Sequence, residues 1–425
     1  MRTRLIQTNC IVLLILVLQL LTSPSAAAVI VSAPALNPLT GTQTYLWSVI
    51  GNTGEHLAAE RTIGIQAKVF RFSWRNFAPT ETTISQSYVT RKLTELADLR
   101  QAGFKVILDL GFHDTPAWIH QNYPDSRYVN QYGDAYSANG EIDSGDANLV
   151  FNPALRQAAA TYIQAVFATL GTDFVAVRLG GGRWGELTYP PATYASHSNV
   201  YWGFDAGAQS QSLVPGWVPG QAAPQGQDRI FLAWYHGALV DFQNWQITTV
   251  RQSYAGALMM LYPSWGIRPG QIDLALATHL NGSTSAEING EIQRGFDFAR
   301  QIAAITDPNV IVTTTWLDAD MSADSRNDPR YWSPVKYLAS LANAHPLGLR
   351  LYGENTGQGS AATMEMTAGQ MHRYSLLGMA WYREEEFFTG TYATLTDYQT
   401  VIATFSPLPG NASRHDVFLP LLLNS

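Results

Sequence analysis

The sequence predicts an α/β protein built as one domain, a (β/α)8 TIM barrel with long loops after its strands. Three observations carry this expectation. Eight short apolar runs alternate with helix-like stretches along the chain. The long connections, Gly111–Asn152, Gly182–Asp228, Pro263–Ala286 and Trp316–Trp332, all follow apolar runs and precede helices, so a barrel would gather them on one face. No glycine-rich nucleotide fingerprint follows the first run, which weakens the alternative of an open doubly wound sheet.

The expected strands, in order, are Tyr45–Val49, Ala67–Phe72, Lys105–Leu110, Phe174–Leu179, Ala257–Tyr262, Val310–Thr315, Leu347–Gly353 and Leu376–Trp381. Most are short and continuously apolar, as suits strands buried on both faces of a parallel sheet. The helix after the first strand has the weakest pattern. Tyr88–Ala102 is amphipathic, with Val89, Leu93, Leu96 and Leu99 at helical spacing. Pro153–Leu170, Arg229–Tyr254, Glu287–Ala304, Pro334–Ala344 and Met364–Tyr374 follow as further helices. The barrel is expected to span residues 43–405.

Both ends read differently. Arg2 and Arg4, the apolar run Ile11 to Leu21 and the small residues Ser25 to Ala28 form a secretory signal pattern over residues 1–28. Residues 29–42 read as a linker rich in Pro, Ala, Ser and Thr. The one cysteine, Cys10, lies in the signal, so a processed chain would have no thiol. Residues 406–425 are loop-like and end in HDVFLPLLLNS, either a sorting or attachment segment or a strand packed on the barrel. This end resembles short C-terminal tails on exported proteins of some filamentous bacteria. Both apolar stretches are too short to span a bilayer, so no stable membrane span is expected once the signal is removed. A secreted or cell-surface location follows. The formal net charge of -7 argues against nucleic acid as a partner and fits a neutral substrate.

Two glutamates carry the chemistry. Glu186 lies in VAVRLGGGRWGELTYPP, after the fourth strand, and Glu354 in GLRLYGENTGQ, at the end of the seventh. In a barrel both point into the mouth at the C-terminal face. A pair of carboxyls across a cleft is the minimal equipment for breaking a glycosidic bond: one protonates the departing oxygen, the other attacks or activates water. Glu186 suits the acid, because it follows a glycine turn and neighbours Trp184, whose ring could raise its pKa. Glu354 suits the second carboxylate, with Arg71 expected nearby to keep it ionised. A lone glutamate after a strand is more often a cap or a surface ion pair; two at such positions reverse that weighting.

Most of the 12 tryptophans, Trp184, Trp316 and Trp381 among them, fall at strand ends or in the long loops. Aromatic faces around a polar mouth suit sugar rings, and they also fill gaps under loops. Asp109 and Asp318 read more readily as structural hydrogen-bonding groups than as reacting ones. Glu384, Glu385 and Glu386 read as a solvated run. No HExxH or GxSxG motif occurs, and no cofactor or metal is expected.

The phrases VFRFSWRNFAPTE and GFKVILDLGFHDTPAWI resemble the second and third strands of clan A glycoside hydrolases, closest in flavour to the family 42 β-galactosidases and their relatives. The resemblance implies a retaining (β/α)8 enzyme with its acid/base after strand 4 and its nucleophile after strand 7. It implies that Arg71 supports the nucleophile, that His113 lines the sugar pocket beside Asp114, and that Trp381 in GMAWYREEEFF floors it. One position departs: the clan usually has Asn before the acid/base, and Gly185 stands there. The phrase GELTYPP resembles the catalytic-acid motif of β-amylases, which are inverting enzymes, although the glycine-rich loop those enzymes carry after an earlier strand is absent. The dispersed phrases outweigh the local one, so retention is expected, with a carbohydrate as substrate. A non-catalytic carbohydrate-binding barrel is the alternative.

Overall fold

A computed structural model describes residues 45–51, 54–138 and 145–405. The expected signal, linker and C-terminal tail lie outside the described residues. Eight parallel strands close a barrel in sequence order. They are β1 (Leu46–Ile50), β2 (Ala67–Arg71), β3 (Lys105–Asp109), β4 (Ala176–Leu179), β5 (Ala257–Tyr262), β6 (Val310–Thr314), β7 (Arg350–Glu354) and β8 (Gly378–Tyr382). β1 pairs with β8 from Leu46↔Gly378 to Ile50↔Tyr382, which closes the ring.

The helices on the outside are α1 (Leu57–Ile63), α2 (Gln86–Gln101), α3 (Pro153–Leu170), α4 (Gln227–Arg251), α5 (Phe298–Ala303), α6 (Pro334–Ala344), α7 (Ala361–Arg373) and α8 (Leu395–Phe405). Local signals start them. Ser85 caps α2 through the Tyr88 N–H, and Asn152 caps α3 through Ala154 and Leu155 with Pro153 in the first turn. The helix expected over Glu287–Ala304 is divided into Ala286–Gln293 and α5. Gly295 divides it: it holds φ +78°, and a Cβ there would lie 2.8 Å from Leu239. α8 has no counterpart in the sequence expectation. No helix among the described residues is long and apolar enough to cross a membrane.

Alternation along each strand sorts the side chains. Leu46, Ala67, Val69, Ile107, Ala176, Met259, Ile311, Tyr352 and Ala380 form one buried cluster inside the barrel. Trp47, Phe70, Leu108, Val177, Met260, Val312, Leu351 and Trp381 belong to the larger cluster that includes the helices. Following the inner set up each strand leads to a polar layer at the C-terminal ends. Register places Arg71 beside Asp109 and Asp109 beside Arg178, a row of alternating charge across β2, β3 and β4. Glu354 ends β7 on the same inner face as Tyr352.

Candidate active site

The backbone around Glu186 is shaped by three glycines. After β4 the chain folds back on itself, and the Gly182 N–H donates to the Glu186 carbonyl at 2.8 Å. A Cβ on Gly180 would lie 2.1 Å from the Gly185 carbonyl oxygen, and one on Gly182 would lie 2.5 Å from that of Thr188. The glycine run is a tightly packed turn, and only hydrogen-sized substituents fit it. It delivers the Glu186 carboxyl to Thr315, at the end of β6, whose hydroxyl donates to Oε1 at 2.7 Å. Burial pushes Glu186 up to about 7; the Thr315 hydrogen bond opposes this, the charge of Glu354 adds to it, and Arg294 and Arg178 oppose it further. That value suits a group that carries a proton near neutral pH and can release it.

Glu354 has the opposite kind of partner. Arg178, on β4, reaches across the barrel mouth and places Nη2 3.1 Å from Oε1 and 3.0 Å from Oε2 of Glu354. Burial pushes the Glu354 carboxyl up, and the Arg178 guanidinium works against it. Arg178 is itself buried, which lowers its pKa, but Glu354, Asp109 and Glu186 more than compensate and hold it firmly charged. Asp109 completes the arrangement. Burial opposes its ionisation, but Arg178, His113, the Gly111 N–H and Arg71 outweigh this and hold it below the usual carboxylate range. The mouth thus contains an Asp109–Arg178–Glu354 line in which Arg178 opposes the rise that burial and the Asp109 charge impose on Glu354 without cancelling it, with Glu186 beside it, coupled to Glu354 by charge.

Arg71 is placed differently from the expectation. It does not contact Glu354. Its side chain is 55% exposed and its Nη2 donates to Asp114 Oδ1 at 2.7 Å and to His113 Nε2 at 2.8 Å. The guanidinium at Glu354 is Arg178, because β4 carries its inward side chain across the lumen while Arg71 turns along the rim to the nearer acid. The contact with Arg71 makes His113 Nε2 an acceptor. Burial lowers the His113 pKa, Asp109 and Asp114 pull it back up, and Arg71 and Arg178 add to the lowering, so the ring is neutral with its proton on Nδ1. That nitrogen is buried without a partner among the described residues. A Cβ on Gly185, which holds φ +82°, would come within 3.3 Å of it. The glycine that departs from the clan pattern is therefore the residue over which His113 packs.

The tryptophans divide. Trp184 holds φ 61° and is 64% exposed, with the Arg183 guanidinium 4.5 Å from its ring centre. Such a ring does little to desolvate Glu186, whose burial comes from the loop and the barrel. Trp316 is half-buried and directly follows Thr315. Trp381 is fully buried, belongs to the outer cluster, and would be touched by a Cβ on Gly359 at 2.6 Å. It faces the helices and cannot floor a pocket in the mouth. Its neighbour Tyr382 has the inward parity and is half-buried, and its backbone is gripped on both sides by Asn355 at 2.6 Å.

The remaining acids also separate. Asp318 accepts from the Thr356 N–H at 3.0 Å and its hydroxyl at 2.7 Å, a clasp between the loops after β6 and β7. The acidic run after β8 is not a solvated face: Glu384 and Glu386 are buried. Burial pushes Glu384 up to about 8 against the pull of Lys68, which lies 3.3 Å away and also pairs with Glu60. Asp146, which the sequence reading passed over, is buried in the loop after β3. Burial pushes it up to about 7, against the charges of Arg183 and Arg294. Arg178 was also passed over, although a lone charge inside the apolar run VAVRL was a visible signal.

No protein-family model matches this chain, and no curated protein matches it in sequence. Known structures match it in fold. The catalytic domain of β-amylase from Paenibacillus polymyxa does so with a TM-score of 0.64 at 16% identity, over 85% of this chain and 98% of that one. The β-galactosidase of the Antarctic haloarchaeon Halorubrum lacusprofundi does so with a TM-score of 0.52 at 10% identity, over 86% of this chain and 59% of that longer one. At these identities the likeness is one of fold, the closed (β/α)8 barrel.

Proposed function

We propose that this chain is an exported glycoside hydrolase that cleaves an O-glycosidic bond between Glu186 and Glu354. The observation that carries the reading is the difference between the two carboxyls. One is buried against a neutral hydroxyl and raised to about 7, the other is held by a guanidinium. That is the division between proton donor and carboxylate which glycoside hydrolysis requires. Glu186 protonates the leaving oxygen. Glu354 serves as the second carboxylate, and the Arg178 guanidinium favours its charged form against burial. His113, Asp114, Arg71, Trp184 and Trp316 are the groups offered to the sugar. Export rests on the N-terminal signal pattern, and fractionation of cells expressing the full chain tests it.

Two routes are open to Glu354. In the retaining route, expected from the dispersed phrases, it attacks the anomeric carbon. In the inverting route it takes a proton from a water. The structure withdraws part of the support for the first route. Arg71 and Trp381, two of the residues that carried the retaining resemblance, stand away from the roles it implied, and Gly185 is required by its backbone angle and by His113. NMR of the first-formed anomer decides between them. The reading itself is tested on a panel of chromogenic glycosides and polysaccharides with Glu186→Gln and Glu354→Gln. Loss of turnover with sugar binding kept supports it. Sugar binding without turnover in the unaltered protein makes the chain a binding barrel.

A further inference from the structure

Beside the mouth lies a second cleft of about 590 Å³, between the rim of β2 and the outer helix α2. Four cations line it, Arg71, Arg75, Arg91 and Lys92, against two acids, Glu95 and Asp114. The acids are used: Asp114 pairs with Arg71 at 2.7 Å and Glu95 with Lys92 at 2.6 Å. Arg75 and Arg91 have no carboxylate partner among the described residues, and both are exposed. Each is nevertheless positioned. Arg75 donates Nε–H to the Thr115 carbonyl at 3.0 Å, and its terminal N–H groups have no side-chain acceptor among the described residues. Arg91 lies 5.2 Å from the centre of the Tyr88 ring, and the Tyr88 hydroxyl is anchored by the Ser73 N–H at 2.7 Å. The ammonium of Lys92 is pressed downward in pKa by burial, with Arg91 and Arg71 adding to the effect, while Glu95 opposes it. A chain of formal charge -7 therefore concentrates positive charge at one site on the rim of its mouth.

The cleft is connected to the site already described. Arg71 lines it and also donates to His113, which packs over Gly185 beside Glu186. We propose that this cleft binds an oxyanion carried by the carbohydrate substrate, a carboxylate or sulfate on a sugar unit near the bond being cleaved. Paired, planar guanidiniums match such groups geometrically, and Arg75 and Arg91 supply two without a carboxylate partner among the described residues. The proposal rests on the glycosidase reading and refines its substrate: an acidic glycan in place of the neutral one that the net charge suggested.

Titration calorimetry of the full chain tests it at low and high salt. The probes are inorganic sulfate, a tetragalacturonate, a chondroitin sulfate tetrasaccharide, maltotetraose and cellotetraose. The unaltered protein is compared with Arg75→Gln/Arg91→Gln and Arg75→Lys/Arg91→Lys. The expected result is that at least one acidic tetrasaccharide binds about tenfold or more tighter than either neutral one, with the preference shrinking in high salt. The glutamine pair should remove that preference and the lysine pair keep part of it, with the melting temperature and neutral-glycan binding unchanged. The proposal is overturned if acidic glycans bind no tighter than neutral ones, if the preference survives the glutamine pair, or if inorganic sulfate binds at these arginines while neither acidic tetrasaccharide does. Failure of the glycosidase reading looks different: no turnover of any glycoside in the unaltered protein, whatever the calorimetry finds.

Discussion

The two sides of the barrel mouth hold the same side chain in opposite ways. On the β4–β6 side, Glu186 comes in on a loop of packed glycines and meets the Thr315 hydroxyl. On the β7 side, Glu354 ends a strand and meets the Arg178 guanidinium. A neutral donor offsets desolvation less than a full charge does: burial raises Glu186 to about 7 beside the Thr315 hydroxyl, while at Glu354 the Arg178 guanidinium opposes a burial that still leaves the carboxyl above its ordinary value. Two carboxyls of identical intrinsic acidity are set in different surroundings, one against a hydroxyl and one against a guanidinium.

Removing either carboxyl breaks the comparison most severely. Glu186→Gln and Glu354→Gln should each lower kcat by about 10²–10⁴. The Glu186 variant should recover much of its rate on aryl glycosides whose leaving group needs no proton. Equal losses on all leaving groups would exchange the assigned roles. Glu186→Gln has a second signature in stability. A carboxyl raised to about 7 in the folded state stabilises the protein below its unfolded pKa, and that contribution is lost as pH rises through 7. The variant should therefore gain on the order of 2 kcal/mol over the unaltered protein at pH 8, and nothing at pH 4. Urea unfolding at both pH values measures it.

Arg178→Met strips the other side of its cation. Two buried acids, Glu354 and Asp109, lose their common partner, and the expected cost is about 3–5 kcal/mol. Glu354 then protonates at a higher pH, so the acid limb of kcat/KM should move upward. An unmoved limb would show that another group sets it.

Thr315→Val sharpens the contrast on the Glu186 side. The hydroxyl stabilises the carboxylate, so its loss should move the alkaline limb to higher pH, with a rate change of about fivefold, in line with ~1 kcal/mol for one hydrogen bond. Gly185→Ala should cost about 1–2 kcal/mol, since φ is +82° and the new Cβ meets His113. The smallest kinetic effect belongs to Trp381→Phe. Facing the helices, it should lower the melting temperature and leave KM unchanged, whereas Tyr382→Ala at the mouth should raise KM. A rise in KM for the Trp381 variant alone would return that ring to the sugar pocket.

Much of this was legible in the sequence. Ala257–Tyr262, Pro153–Leu170 and Pro334–Ala344 have the expected bounds, and the other strands shift by a few residues. Glu186 and Glu354 were readable because they follow apolar runs, and a parallel barrel opens its strand ends toward one face. Trp381 was misassigned because inward and outward positions differ by one residue, and a continuously apolar strand such as GMAWY does not mark its own parity. Pairing with β1 settles that parity: Ser48↔Ala380 faces inward and Val49↔Trp381 faces the helices. Arg71 was misassigned for a related reason. Sequence order places it at a strand end but does not say which of several acids around a ring it will meet.

By itself the sequence determined the strand and helix alternation, the closure into a barrel and the two glutamates at its mouth. These depend on local periodicity and on the position of a residue relative to a strand end, both of which one chain segment contains. Only the tertiary structure decided that Arg178 crosses the lumen to Glu354, that Thr315 meets Glu186, and that four cations collect in one cleft. Those contacts join residues far apart in the chain, and burial and mutual charge set their energies, so they exist only once the barrel has closed.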